Sequence, residues 1–596
     1  MRKKLYLWKG IKLNFKAVPI ASGALLLLKI LSGLVQSAMV VVLAQFLDAV
    51  LLFFESDERD ILRVLVLILI YVGMQLFVWL EPNLTEWMNT YLLNGVRRDS
   101  SRIILDKYEK LQYRYIENKT AMDLADRVVP DAEKQIVQCY SSYLNIISFV
   151  VKTAGIIVVL AGGALLPAVV ILACAVPLFI LAVKSGRASY NAVKEVTKAK
   201  RKADYFSEIM LRREYVSERK LFHYGNYVNE EWRRNSETAR LLKLKTSIRW
   251  YIKSKAGSVF IALISVIAAV MLIDPVMSGS MSVGLYISLV SSLYTLVKAI
   301  AWKFMQDVDA LTVANEYMKD FQAFLSLEEE KQEEAGKVLE HFESLECRAL
   351  SFKYPDTEKY ILRHLSLKIE AGKKYSIIGI NGAGKTTLVK LLLGVYDEYE
   401  GSIYLNGSNI KEYRKDQVRK LCAAVFQDFS RYALTVRDNI LVGALRRTDT
   451  VSSEEVDKVL ADVGLLETVQ SYKEGADTFL GSHFRDGQDF SGGQWQRLAL
   501  ARNLIGGSEL VFLDEPTAAL DPIAEQQFYD SLNSAFRKKT TVTISHRLAV
   551  TRDSDCIYVI DGGRVCEQGT FDGLIAGHTV FSEMYESQKE WYVEKE

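Results

Sequence analysis

Gly379-Ile380-Asn381-Gly382-Ala383-Gly384-Lys385-Thr386, followed by Thr387, has the form G-x-x-x-x-G-K-[ST]. Tyr375–Ile380 before it reads as a strand and Thr386–Leu393 after it as a helix. A glycine loop alone is weak evidence; strand, loop and helix in that order make it a phosphate-binding loop. Its backbone N–H groups wrap phosphates, Lys385 reaches the β and γ oxygens, and Thr386 offers its hydroxyl to Mg2+. The expected ligands are therefore the phosphates of a nucleotide and magnesium.

Downstream, Leu510-Val511-Phe512-Leu513-Asp514-Glu515 is an apolar strand that ends in two carboxylates. Without a phosphate loop these would be ordinary solvated groups at a strand end. Beside one, Asp514 is placed to orient magnesium through water. Glu515 is then placed to polarise an attacking water. Thr541–Ile544 supplies a further strand of the same α/β unit, which starts near Phe342 after a charged stretch, Glu328–Glu334.

The first 305 residues differ in kind. Half of the 596 residues are hydrophobic, and the long apolar stretches crowd into this part. A length of 596 predicts several domains, because one core rarely grows past about 250–300 residues. A net charge of +2 gives no sign of a nucleic-acid partner, and none is expected. The cysteines (139, 174, 347, 422, 556, 566) form no C-x-x-C pair and read as reduced thiols.

A span needs about 20 mostly apolar residues. Six stretches qualify: 18–50, 61–83, 139–162, 165–184, 256–273 and 281–301. The loop after the first carries Glu55, Asp57, Glu58 and Asp60, whereas 185–255 is rich in Arg and Lys, including Lys198, Arg201, Arg212 and Lys220. Positive charge stays inside, so both termini are expected on the cytoplasmic side of a multi-pass membrane protein, in a bacterial plasma membrane. Residues 1–17 read as an amphipathic helix on the inner membrane surface. The two long cytoplasmic connections, 84–138 and 185–255, keep helical periodicity, so membrane helices are expected to continue into the cytosol. Turns near Tyr115–Asp126 and Phe206–Glu218 would dock on a soluble domain. Gln36, Gln45, Gln75, Tyr286, Ser288, Ser291, Ser292 and Tyr294 are the polar candidates for a substrate cavity, though serines also serve close helix packing and tyrosines the interfaces. No buried Asp, Glu or His relay is read from the spans, which disfavours an ion-coupled carrier.

On these residues the soluble half resembles the nucleotide-binding domain of ABC transporters, and the membrane half resembles the exporter-type membrane domain. The resemblance covers the whole chain. It implies an α-helical six-span transmembrane domain followed by an α/β P-loop nucleotide-binding domain of ABC type. It also implies roles for single residues. Tyr354, in Phe-Lys-Tyr-Pro, resembles the aromatic that stacks on adenine, and Gln427 the glutamine that senses magnesium. Ser491-Gly492-Gly493-Gln494 resembles the signature motif, which faces ATP held by the other subunit. Asp521, in Ala519-Leu520-Asp521, resembles the loop that communicates between the two sites, and His546 the switch histidine that holds the γ-phosphate. Phe490 stands where the family usually has Leu, and Ser482–Asp489 matches the family more loosely. His483 and His223 have no neighbours at metal-ligand spacing.

The resemblance implies a dimer of half-transporters, since one chain cannot complete an ATP site. The intact Glu515 and signature tilt toward a homodimer over a heterodimer. Expected boundaries are 1–17, membrane domain 18–322, linker 323–341, nucleotide domain 342–580 and tail 581–596. The function expected is export of an amphipathic peptide, drug-like compound or lipid. The alternatives are import on the same scaffold, or a membrane-bound regulatory ATPase without cargo.

Overall fold

The computed structural model describes residues 6–55, 60–163, 184, 196, 200–212, 215–299, 303–330, 336–355, 357–447, 449–481, 487–516, 529, 535–537, 539–577 and 579–589. The chain divides into two compact units. One comprises Met1–Leu111 with Lys119–Glu329, the other Gln112–Asn118 with Glu330–Glu596.

The first unit is helical. Its described helices include Leu7–Ala17, Pro19–Glu55, Ile61–Glu109, Ala132–Gly163, Gly225–Met271, Val283–Ala299 and Met305–Leu325. Three are long and apolar enough to cross a membrane: Pro19–Glu55, Ile61–Glu109 and Ala132–Ala161. They contain the first three predicted stretches. The fifth lies within Gly225–Met271 except for its last two residues, the sixth contains the shorter apolar helix Val283–Leu296, and the fourth lies almost wholly outside the described residues. Leu62, Leu65, Leu69, Leu76 and Trp79 of Ile61–Glu109 all point outward. A helix that exposes so much apolar surface is at home only in an apolar solvent.

Small residues let these helices approach closely. Ser37 donates to Lys152 O at 3.1 Å across the pair Pro19–Glu55 and Ala132–Gly163. A Cβ at Gly33 would fall 2.8 Å from Ser148 O, so a larger residue would force the backbones apart. Asp48 accepts from Gly284 N at 2.8 Å and from the Ser282 hydroxyl at 2.6 Å, placing negative charge at the N-terminus of Val283–Ala299. Helix Leu7–Ala17 buries Gly10, Ile11 and Asn14, and the Asn14 amide donates to Ile136 O at 3.1 Å.

Inside the spans the structure adds one ion pair that the sequence reading did not name, a single pair and not a relay. Glu81 is a buried carboxylate, and Lys29 Nζ lies 2.7 Å from its Oε1, with both side chains under a tenth exposed. Their helices flank each other, so two charges that would each be costly in hydrocarbon are neutralised as a pair. The proposed cavity candidates of the last span do not share one face: Ser288 is buried, whereas Ser291 and Tyr294 are exposed.

The second unit carries two sheets. β1 (Ser344–Phe352), β2 (Leu362–Glu370), β4 (Glu400–Leu405) and β5 (Ser408–Asn409) form an antiparallel sheet in the order β2-β1-β4-β5. The other sheet has the order β10-β9-β3-β8-β7-β6, with β3 (Lys374–Ile378), β6 (Cys422–Val425), β7 (Leu510–Asp514), β8 (Thr540–Ile544), β9 (Cys556–Asp561) and β10 (Arg564–Gly569). The neighbours from β9 to β6 pair in parallel, and β10 runs antiparallel to β9. All five residues of β7 are buried, the continuous apolar run that a strand covered on both faces requires. One core lies between the sheets, around Leu345, Leu367, Ile377, Leu388 and Phe512. A second, around Val436, Leu460, Trp495 and Leu498, gathers the helices Val436–Leu441, Ser453–Asp462 and Gly492–Ile505.

The short helix Tyr113–Glu117 belongs to this unit, not to the helical one. Glu117 pairs with Lys390 at 2.7 Å and accepts from the Tyr396 hydroxyl. The Tyr113 ring meets Tyr396 edge-on at 5.3 Å, and Arg114 pairs with Glu398. Of the first expected turn, Tyr115–Asp126, the part up to Asn118 thus belongs to this unit, and Glu117 makes its contacts there. The second expected turn, Phe206–Glu218, overlaps only the start of helix Val216–Phe222, which lies in the helical unit and buries none of its residues. The five described cysteines are free thiols, and Cys174 lies outside the described residues.

Candidate active site

Parallel register brings the ends of four strands into line. Ile377 of β3 pairs with Ile544 of β8, Ile544 with Asp514 of β7, and Val425 of β6 with Leu513. Just past these ends come the phosphate loop, His546, Glu515 and Gln427. An open parallel sheet binds ligands outside the carboxyl ends of its strands, and each predicted group on a strand end lies there.

Gly382 and Gly384 have φ of +82° and +98°, conformations that glycine adopts without a Cβ penalty. A Cβ on Gly384 would also fall 2.7 Å from Leu362 Cδ2. Helix Lys385–Leu392 starts immediately after, so unpaired N–H groups and the positive end of its dipole face the loop. Lys385 is buried and donates to Gly379 O at 2.8 Å and Ile380 O at 3.1 Å, which folds its amine over the loop. Burial pushes the Lys385 pKa down, and the charges of Glu515 and Asp514 only partly offset that. Ala383 is buried while Ile380 and Asn381 sit at the exposed lip. These features fit a polyphosphate.

Thr386 Oγ1 donates to Asp514 Oδ2 at 2.7 Å. Burial raises the Asp514 pKa, opposed by that hydrogen bond and reinforced by the neighbouring Glu515 charge. A buried carboxylate beside a hydroxyl, short of compensating charge, is a hard oxygen set suited to Mg2+. Gln427 lies two residues past β6, exposed at the same edge.

Glu515 is the one group here with a strained backbone. Its φ is +51°, in the left-handed region. Its N–H donates to Ile544 O at 2.9 Å and its carbonyl accepts from the Gln496 amide at 3.4 Å, so both sides of the residue are pinned. The carboxylate is 14% exposed and in contact with His546 Nε2. Such a group can take a proton from water while the imidazole faces the same space.

Tyr354 stands at the edge of the loop, where its hydroxyl meets Thr387 Oγ1 at 2.8 Å and its ring packs on Phe352 at 5.3 Å. A cavity of about 740 Å3 opens beside Tyr354, lined also by Tyr113, Arg114 and Tyr396. No phosphate-loop or β7 residue lines it, so it is distinct from the phosphate site.

Ser491 caps helix Gly492–Ile505: its Oγ accepts from Gln494 N at 3.3 Å while Gln494 Oε1 accepts from Ser491 N at 2.9 Å. Gly492 and Gly493 leave this helix start without side chains, open to an anion. Phe490 packs beneath it, edge-on to Trp495 at 5.9 Å. Asp521, with the Ala519–Asp521 loop, and His483 lie outside the described residues. His223 is an exposed helix cap, and among the described residues no three His, Cys, Asp or Glu side chains are grouped to hold a metal. Sequence reading passed over Gln496, a buried amide that stands between Trp495 and Arg497 and carries no distinguishing signal in the sequence.

Comparison with known proteins agrees with this architecture. A family model described as ABC transporter matches residues 362–518, and one described as ABC transporter transmembrane region matches 23–300. The subtilin transport ATP-binding protein SpaT of Bacillus subtilis is 29% identical over 99% of this chain and 95% of its own. The nisin transport ATP-binding protein NisT of Lactococcus lactis subsp. lactis is 31% identical over 55% of this chain and 54% of its own. An ATP-dependent lipid A-core flippase of Haemophilus influenzae is 34% identical over 45% of this chain and 44% of its own. In fold, the chain is similar to a bacterial Atm1-family ABC exporter solved with ATP bound, with a TM-score of 0.78, 22% identity, and coverage of 95% of this chain and 99% of that one. With a transmembrane region and a nucleotide-binding domain of this kind fused in one polypeptide, the chain belongs to the ABC transporters as an exporter-type half-transporter, an ATPase coupled to transport.

Proposed function

We propose that this chain exports an amphipathic substrate by alternating access in a dimer, with six spans and both termini in the cytoplasm of a bacterium. The observation that carries the catalytic part is the Glu515–His546 contact beside the Thr386–Asp514 bond. In this reading the loop from Gly379 to Thr387 and Lys385 hold the phosphates of ATP, and Tyr354 supports the adenine. Thr386, Asp514 and Gln427 would hold Mg2+, which would supply neutralisation of the phosphate charge. Glu515 takes the proton from the attacking water, and His546 holds the γ-phosphate and the water's approach line. Ser491–Gln494 serves the ATP held by the second copy, and Asp521 lies on the route between the two sites. ATP binding then favours the closed pair and hydrolysis releases it, a population shift driven by differential affinity.

Cargo is the finer part of the proposal. Relatives named for subtilin transport, nisin transport and lipid A-core flipping support a peptide or lipid class. The test is ATP-driven movement of labelled peptides and lipids in proteoliposomes whose nucleotide domains face outward. Accumulation in the lumen that disappears in Glu515→Gln supports export. ATP-driven loss from the lumen supports import, and ATP turnover that no cargo alters supports a regulatory ATPase.

A further inference from the structure

The backbone that carries His546 is gripped by a residue far along the chain. Helix Val580–Lys589 starts where the Glu567 carboxylate accepts from Val580 N at 2.7 Å and Phe581 N at 3.1 Å. Phe581 is fully buried, edge-on to Phe571 at 5.8 Å. Its cluster contains Ile378, the last residue of β3, and Leu548, two residues past His546. This helix is therefore fixed to the strand that leads into the phosphate loop. From its last turn the side chain of Gln588 reaches back: Nε2 donates to His546 O, and Oε1 accepts from Leu548 N at 3.0 Å.

One amide thus spans Arg547 and satisfies a carbonyl and an N–H on either side of it. The turn is closed within itself by Ser545 Oγ, which accepts from Arg547 N at 2.9 Å. Opposite, Glu515 is pinned to β8 through Ile544 O. The imidazole is thus set between a fixed carboxylate and a backbone whose outward side is held by Gln588. Only a side chain with both a donor and an acceptor at this reach can make the two bonds.

We infer that Gln588 is a positioning residue for His546, which makes the C-terminal helix part of the ATPase machinery. This rests on the reading of His546 given above. The experiment uses the full chain in nanodiscs and compares Gln588→Leu, Gln588→Glu, His546→Ala and the Leu/Ala double variant. Loss of two backbone bonds to one turn lowers kcat about tenfold in Gln588→Leu, with KM for ATP within about twofold. Gln588→Glu keeps the Leu548 bond but sets a carboxylate against His546 O, so it does not rescue. Amide exchange speeds up at Ser545–Leu548 in Gln588→Leu and not in β7, which general destabilisation would not produce. Adding Gln588→Leu to His546→Ala costs nothing further. Wild-type kcat in Gln588→Leu, or an exchange increase spread over the whole domain, overturns the inference while His546→Ala remains impaired. Full turnover in His546→Ala instead overturns the underlying reading of the histidine.

Discussion

Glu515 Oε1 and His546 Nε2 touch across the ends of two adjacent parallel strands, β7 and β8. The contact joins a nearly buried carboxylate to an imidazole that is 41% exposed, so the pair has a dry side and an open side. The carboxylate reaches this place through a left-handed backbone, a conformation that costs on the order of 1–3 kcal/mol and persists only when neighbours enforce it. Here the neighbours are Ile544 O and the Gln496 amide.

If Glu515 is the base, Glu515→Gln keeps the shape of the site and loses the proton acceptor. Turnover is expected to fall about 10²–10⁴-fold with ATP affinity retained. Single-turnover hydrolysis beside equilibrium binding of a labelled ATP analogue checks this, and near-normal hydrolysis rejects the assignment.

Asp514 gives a pH prediction. Its folded-state pKa is raised above the ordinary 3.8 because burial disfavours the charged form. A raised pKa contributes stability that is full below the unfolded value and is lost as pH rises through the folded value. Asp514→Asn, which keeps an acceptor for Thr386, should therefore raise the nucleotide-free Tm at pH 7. The gain should shrink as pH falls toward 4, while magnesium-dependent turnover is lost. Melting curves across that range, run without nucleotide, decide it; a Tm lowered at pH 7 refutes the burial argument.

Tyr354→Ala removes a ring beside the phosphate loop and its bond to Thr387. Stacking on a base contributes about 1–3 kcal/mol, so KM for ATP should rise roughly tenfold or more with a smaller change in kcat. An unchanged KM counts against adenine contact.

Lys29→Met leaves Glu81 buried without its partner, which costs about 3–5 kcal/mol. The double replacement Lys29→Met with Glu81→Leu should recover most of that loss, because an apolar pair carries no desolvation cost. Thermal unfolding in detergent reads both. Equal destabilisation of single and double variants would show that the pair matters through packing alone.

Much of this was legible in the sequence because the signals were local. The glycine loop, the apolar strand ending at Asp514 and Glu515, and the apolar stretches each occupy one window, and the structure places β3, β7, β8 and the long helices within a few residues of them. What escaped was nonlocal. Lys29 and Glu81 stand in different helices, and a hydropathy window sees only a tolerable single charge in each. Gln588 looks like any polar residue of a terminal helix until the fold carries it to His546. Glu117 and Tyr396 are likewise joined only by packing. The line of strand ends that collects Gln427, Glu515 and His546 comes from parallel register, which no single stretch encodes.

The most direct measurement is ATPase turnover of the chain purified alone in lipid nanodiscs, with the assembly mass taken on the same sample and Glu515→Gln alongside. The account predicts a mass of two chains and turnover that collapses in the variant. A particle of one chain that still hydrolyses ATP through Glu515 would contradict the claim that each site is completed by a second copy.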